Sequence, residues 1–149
     1  MPAAPPEPEP QHYPQLVAHV DGGARGNPGP AGYGAVLRTP DGAVRAELCG
    51  FLGVTTNNVA EYQGLLAALR WAREVGAREL LVHADSELLV HQMNGRYKVR
   101  APHLQPLHGE ARRLAAGLAR FRIEHVPRAE NKDADRLANK AMDEGTSGK

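Results

Sequence analysis

Four carboxylates, Asp21, Glu61, Asp85 and Asp135, stand where an acid contributes little to folding. Asp21 closes the apolar run LVAHVD, and Asp85 closes LLVHAD. Glu61 falls in the first turn of a long helical pattern and Asp135 in the first turn of the last one. Acids gathered together repel and resist burial unless a cation lies between them. A hard divalent ion such as Mg²⁺, which takes oxygen ligands, supplies that cation. If the two apolar runs are neighbouring parallel strands, their terminal aspartates stand about 4.8 Å apart. Both then reach one ion, at the strand ends where open α/β sheets place ligands. The pattern points to metal-assisted hydrolysis. The competing reading of each aspartate alone is a turn or cap residue after a strand.

His19 and His83 precede the two aspartates by two positions. Strand alternation puts each histidine on the same face as its aspartate, about 7 Å along the chain. At that distance a half-buried, hydrogen-bonded imidazole is the favoured reading over a metal ligand.

The elements that must carry these residues read as follows. LVAHVD is a short strand, and GGARGNPGPAG, rich in Gly and Pro, is a wide loop between antiparallel strands. It lacks the GK[ST] ending of a phosphate loop and leads into a strand. YGAVLRT and AVRAELCGFLG are two further strands joined at Pro40, Asp41 and Gly42, which predicts an antiparallel meander. TTNN supplies the N-cap of the next helix, with Asn57 or Asn58 in that role, and Gly76 ends it. RELLVHAD is a near-continuous apolar strand of the kind covered on both faces. SELLVHQMNG is a short helix, RYKVRAP a basic irregular connection, and HLQPLHGEARRLAAGLAR a third helix. RFRIEHVP is the fifth strand, and the last helix carries Ala134, Leu137, Ala138, Ala141 and Met142 on one stripe. The order βββαβααβα predicts one α/β (α+β) domain with a five-stranded mixed sheet flanked by helices.

At 149 residues the chain can bury a core without disulfides, and Cys49 is its one cysteine. A lone cysteine fits a reducing, cytoplasmic setting. No apolar stretch approaches the roughly 20 residues of a membrane span. The start MPAAPPEPEP has neither the basic nor the apolar region of a secretory signal. Residues 1–14 read as a disordered Pro-rich tail or linker, 15–143 as the domain, and 144–149 as a second disordered tail. A net charge of +1 leaves a nucleic-acid partner open, so local clusters decide.

The segments DGGARGNPGPAGYGAVL, TTNNVAEYQGLLAAL, VHADSELLVHQMNG and VPRAENKDADRLANKA occur in this order across nearly all the ordered chain. Together they resemble type 1 ribonuclease H, in the compact form found in archaea and some bacteria. The resemblance implies cleavage of the RNA strand of RNA/DNA hybrids, leaving 3′-hydroxyl and 5′-phosphate ends. It assigns metal-binding and catalytic roles to Asp21 in DGG, Glu61 in NNVAEY, Asp85 in ADSE and Asp135 in ADRLAN. Asp133 competes for the last role, but Asp135 fits the ADxLA context, which leaves Asp133 to the helix N-terminus. The implied mechanism uses two Mg²⁺ ions about 4 Å apart, with Mn²⁺ as an alternative. One activates the attacking water and the other stabilises the departing 3′ oxygen; Asp21 bridges them.

Many family members carry a histidine before the last helix, where this chain offers Arg128. Arginine does not titrate near neutrality, so an electrostatic role at the scissile phosphate replaces general-base chemistry there. His125, inside a strand, reads as structural. The resemblance also places backbone around Gly22 and Gly23, with Asn27, Asn57 and Asn58, against the hybrid. Recognition is then by A-like shape and 2′-hydroxyls. Glu87 replaces a glutamine that contacts RNA in longer members. Their basic protrusion is reduced here to NGRYKVRAPH, with Arg96, Lys98, Arg100 and Tyr97. This change predicts weaker affinity, steep salt dependence or reliance on a partner domain. RNA/DNA hybrid is the expected partner, double-stranded RNA a further candidate, and a monomer the expected state. The alternative function is a non-catalytic hybrid-binding module, which has no need of four acids.

Overall fold

The two apolar runs that end in aspartate lie side by side and parallel, Val17 beside Leu81 and Val20 beside Ala84. They form the middle of a sheet in a computed structural model that describes residues 13–147. Its strands are β1 (Gln15–Ala24), β2 (Gly29–Arg38), β3 (Val44–Thr55), β4 (Glu79–Ala84) and β5 (Arg120–His125). Its helices are α1 (Asn57–Glu74), α2 (Glu87–Met93), α3 (Gln105–Ala116) and α4 (Lys132–Thr146), with a 3₁₀ turn at Arg128–Glu130. The expected order and mixed sheet are observed. The strands run β3-β2-β1-β4-β5, antiparallel among the first three and parallel from β1 to β5.

Strand alternation sends Leu16, Ala18 and Val20 of β1 and Leu80, Val82 and Ala84 of β4 into one core. Leu65, Leu66 and Leu69 of α1 and Leu114 of α3 close that core from the same side. On the other face α4 packs across β1, β2 and β3. Its stripe Ala134, Leu137, Ala138, Ala141 and Met142 is buried as the helical spacing requires. α4 does not extend over β4 and β5. Hence β4 is buried only at alternate residues, with Glu79, Leu81 and His83 half-exposed. Its apolar composition had predicted cover on both faces; leucine at the half-exposed position 81 produced that expectation.

Local boundaries differ from expectation in four places. The wide Gly/Pro loop shrinks to Arg25–Pro28, because GGA continues β1 and GPAG opens β2 in full antiparallel register. The N-cap of α1 is Thr56, whose hydroxyl accepts from the Val59 amide at 3.2 Å. Neither Asn57 nor Asn58 caps the helix, and Glu61 consequently begins its second turn. At the chain's start, order extends to Tyr13, whose ring stacks on Trp71 at 6.1 Å; residues 1–12 of the expected tail lie outside the described residues. At the other end α4 runs to Thr146, three residues past the expected boundary, with the Thr146 hydroxyl donating to the Met142 carbonyl at 2.8 Å. Gly76 closes α1 at a φ of 72°, a left-handed conformation that glycine tolerates. Among the described residues no helix is long and apolar enough to cross a membrane.

Candidate active site

Parallel pairing of β1 with β4 stops at Val20 and Ala84, and the next residue on each strand is an aspartate. Beyond this point β1 continues alone with β2 as far as Ala24. Asp21 and Asp85 thus flank the split between two central strands. α1 crosses this point closely enough that a β-carbon on Gly22 would stand 2.5 Å from the Glu61 amide nitrogen. That approach puts the Glu61 carboxylate beside both aspartates. Oxygens of Asp21, Glu61 and Asp85 all lie within 4.8 Å of one another. Asp135, in the first turn of α4, approaches from the opposite face closely enough to raise the Asp21 carboxyl.

The electrostatics of this cluster are unfavourable for acids alone. Asp21 is pushed up to about 7, chiefly by burial and then by Asp85 and Asp135. Glu61 is held well above the usual carboxylate range by burial, Asp21 and Asp85. The Gly22 amide donates to Asp21 Oδ1 at 2.8 Å and offsets part of this. Among the described residues Glu61 Oε2 is buried with no hydrogen-bond partner. A buried acceptor without a donor, inside a ring of carboxylates, matches the demand of a divalent cation for oxygen ligands. Asp21, Glu61 and Asp85 fit such an ion, and Asp135 adds a fourth carboxylate at Asp21.

Asp133 points elsewhere. Its carboxylate pairs with Arg38 at 2.6 Å on the surface, while its place in the first turn of α4 keeps it favourable to the helix dipole. The two histidines contact each other: His83 Nδ1 lies 3.2 Å from His19 Nε2, with the rings edge to face. Burial and the neighbouring His83 and Arg38 lower His19 to about 4, so its ring is neutral. His83 Nε2 also stands 3.8 Å from Glu124. Neither imidazole joins the carboxylate group. Arg128 opens the exposed 3₁₀ turn before α4, and His125 ends β5 exposed; both stand outside the carboxylate group.

Asn27 and Asn57 are brought together across 30 positions of sequence. Asn27 Oδ1 accepts from the Asn57 amide at 3.1 Å, and Asn57 Oδ1 accepts from the Ala24 amide at 2.7 Å. This clasp occupies Asn57, which explains why Thr56 caps the helix. Gly23 lies beside the clasp, half-buried, with Asn57 Oδ1 3.9 Å from where its β-carbon would be. Asn58 and Glu87 are exposed at the starts of α1 and α2. The stretch from Arg96 to Arg100 is irregular, as expected, and Tyr97 rests on His91 with ring centroids 4.6 Å apart.

One site residue escaped sequence reasoning. Asn131 is fully buried, and its Nδ2 donates to the Val20 carbonyl at 2.9 Å. It ties the start of α4 to β1 one residue before Asp21. An asparagine ahead of a helix reads as an ordinary cap, so sequence offered no signal of this contact.

The family model described as reverse transcriptase-like matches residues 19–141. A bifunctional protein of Mycobacterium tuberculosis is 54% identical over 130 residues, covering 87% of this chain and 36% of that protein. The chain therefore spans about a third of the length of this relative. The solved N-terminal RNase H domain of the same mycobacterial protein superposes with a TM-score of 0.87 at 52% identity, covering 89% of this chain and 96% of that one. Ribonuclease HI of Halobacterium salinarum is 41% identical over 136 residues, covering 91% of this chain and 68% of the relative. LC11-RNase H1, solved in complex with an RNA/DNA hybrid, superposes with a TM-score of 0.83 at 39% identity over 87% of this chain and 98% of that one. With the strand order, the carboxylates at the β1–β4 split and these likenesses in agreement, the chain belongs to the ribonuclease H family.

Proposed function

We propose that this protein is a metal-dependent endoribonuclease that hydrolyses the RNA strand of RNA/DNA hybrids to 5′-phosphate and 3′-hydroxyl products. The observation that carries the reading is the gathering of Asp21, Glu61 and Asp85 within 4.8 Å, with Asp135 near Asp21, from four separate segments of the chain. Divalent ions, Mg²⁺ in this proposal and two in number, supply Lewis-acid charge and an activated water when bound. The chain's own part is to hold oxygens in place. Asp21, central and buried, would hold the ions together with Glu61 and Asp85, and Asp135 would add a fourth carboxylate. Such a site neutralises developing charge without any covalent intermediate on the protein. Arg128 acts electrostatically on the scissile phosphate, as a delocalised cation suited to phosphate oxygens.

Substrate contact falls to the Asn27–Asn57 clasp, Gly22, Gly23, Asn58 and Glu87, all but Asn27 near a cluster acid in sequence. A relative solved with an RNA/DNA hybrid supports that substrate. Double-stranded RNA, of similar A-like shape, is a second candidate substrate. The protein works as a monomer in the cytoplasm under this reading. A gel assay of end-labelled RNA/DNA, RNA/RNA and DNA/DNA duplexes with Mg²⁺, Mn²⁺ or EDTA tests it. Metal-dependent cuts in the hybrid's RNA strand, lost in Asp85→Asn, are expected. Intact hybrid in every lane with binding preserved would instead assign a non-catalytic hybrid-binding module.

A further inference from the structure

Asp21 has a partner across the β1–β2 ladder with no side chain: Gly34. Paired residues on adjacent strands point to the same face, so Gly34 faces α4 as Asp21 does. A β-carbon at Gly34 would overlap the Ala134 carbonyl oxygen, and would stand 2.7 Å from Leu137 Cβ and 2.8 Å from the Ala138 nitrogen. The first turns of α4 therefore rest directly on the bare backbone of β2. Asp135 is the residue after Ala134, so this contact fixes how near its carboxylate comes to Asp21. Two residues back, Gly32 continues the track, but more loosely. Its β-carbon would lie 3.0 Å from the Ala138 carbonyl and 3.1 Å from Ala141 Cβ.

We propose that Gly34 is a positioning residue of the carboxylate site, the spacer that sets the Asp135–Asp21 separation and with it the affinity for metal. The inference rests on the metal-site reading above and adds to it a residue that touches neither metal nor substrate. Any side chain at 34 must lift α4, because the obstructing atoms belong largely to helix backbone that cannot rotate away. Lifting α4 at Ala134 carries Asp135 off Asp21 while leaving Asp21, Glu61 and Asp85 together.

Mn²⁺ affinity of the intact chain, measured by titration calorimetry, tests this alongside thermal midpoints and hybrid cleavage. Gly34→Ala is expected to weaken Mn²⁺ binding about 10-fold or more, the scale on which outer-sphere supports of metal ligands act. Its cleavage should recover partly as metal concentration is raised. Gly145→Ala, at the far end of α4 against the Phe51 ring, serves as the stability control. It should lower the midpoint without moving Mn²⁺ affinity. In an Asp135→Asn background, Gly34→Ala should add little further loss of affinity, since both act through one carboxylate. If Gly34→Ala does not fold, Gly32→Ala is expected to give a smaller loss in the same direction. Folded Gly34→Ala or Gly32→Ala with wild-type Mn²⁺ affinity overturns the proposal, as does an undiminished effect in the Asp135→Asn background. A wild-type chain that binds no Mn²⁺ sinks the metal-site reading and this inference with it; a wild-type chain that binds metal beside an unaffected Gly34→Ala sinks the spacer alone.

Discussion

Asp21, on a central strand, and Glu61, in the second turn of the helix crossing it, are buried within reach of one another. Burial and the surrounding acids hold both carboxyls above the usual range. Both acids therefore bind a proton more tightly in the folded protein than in the unfolded chain. For Asp21 the window runs from its ordinary value of 3.8 to about 7. The folded state holds more protons inside that window, so this contribution to stability is full below it and is lost as pH rises through it. Metal-free Asp21→Asn should accordingly melt higher than wild type at pH 8, by roughly 2–4 °C for each kcal/mol of repulsion removed, and by less at pH 5. Thermal melts in EDTA decide it. Comparing variant with wild type at each pH cancels the opposite trend of His19, whose lowered value favours the folded state above about 6.5. An Asp21→Asn midpoint below wild type at both pH values would mean the carboxylates are not in conflict.

Asp135 and Asp133 sit two residues apart in one helical turn but belong to different surroundings. Asp135→Asn should reduce hybrid cleavage by at least about 100-fold with binding preserved, as expected for loss of a group acting on transition-state charge. Asp133→Asn breaks only a surface pair with Arg38 and should stay within about 3-fold of wild type. Single-turnover cleavage and hybrid binding at one metal concentration check both. Reversed effects would exchange the two assignments.

Asn131→Ala removes the buried side-chain donor to the Val20 carbonyl beside the site. A cost of about 1–3 kcal/mol in urea unfolding is expected. A midpoint equal to wild type would show that the start of α4 is held by its apolar stripe alone.

Arg96, Lys98 and Arg100 occupy the irregular connection between α2 and α3, with Lys98 and both arginines exposed. Replacing all three by glutamine should flatten the slope of log affinity against log salt by about 0.7–0.9 for each phosphate no longer neutralised. Filter binding of a hybrid across a salt series measures it. An unchanged slope would leave this connection as ordinary solvated chain.

Much of this arrangement was legible in the sequence because periodicity and chemistry agreed. The apolar runs LVAHVD and LLVHAD marked two strands, and taking them as parallel neighbours placed Asp21 and Asp85 together at their ends, as observed. Helical spacing from Ala134 to Met142 gave the buried stripe that brings Asp135 inward. What stayed hidden depended on contacts between distant segments. Composition marked GGARGNPGPAG as loop, yet its Gly32 is a strand residue, small like Gly34 beside it because a helix lies on them. Thr56 outcompeted Asn57 as cap because Asn57 was already engaged by Asn27 and Ala24, a partnership no local pattern encodes. Cover on β4 was overread for a related reason: hydropathy records how apolar a strand is, and only topology records how far α4 reaches.

The hydrogen bonds that tie Asn27 and Ala24 to Asn57 have a thermodynamic consequence for recognition. A loop residue, Asn27, and the first residue of α1, Asn57, already immobilise each other, so their ordering entropy is spent during folding and is absent from any later association. A duplex arriving there meets a surface with little freedom to adapt. Discrimination then depends on whether the duplex already has the right groove width, and a B-like DNA helix would have to bear the whole cost of deformation itself.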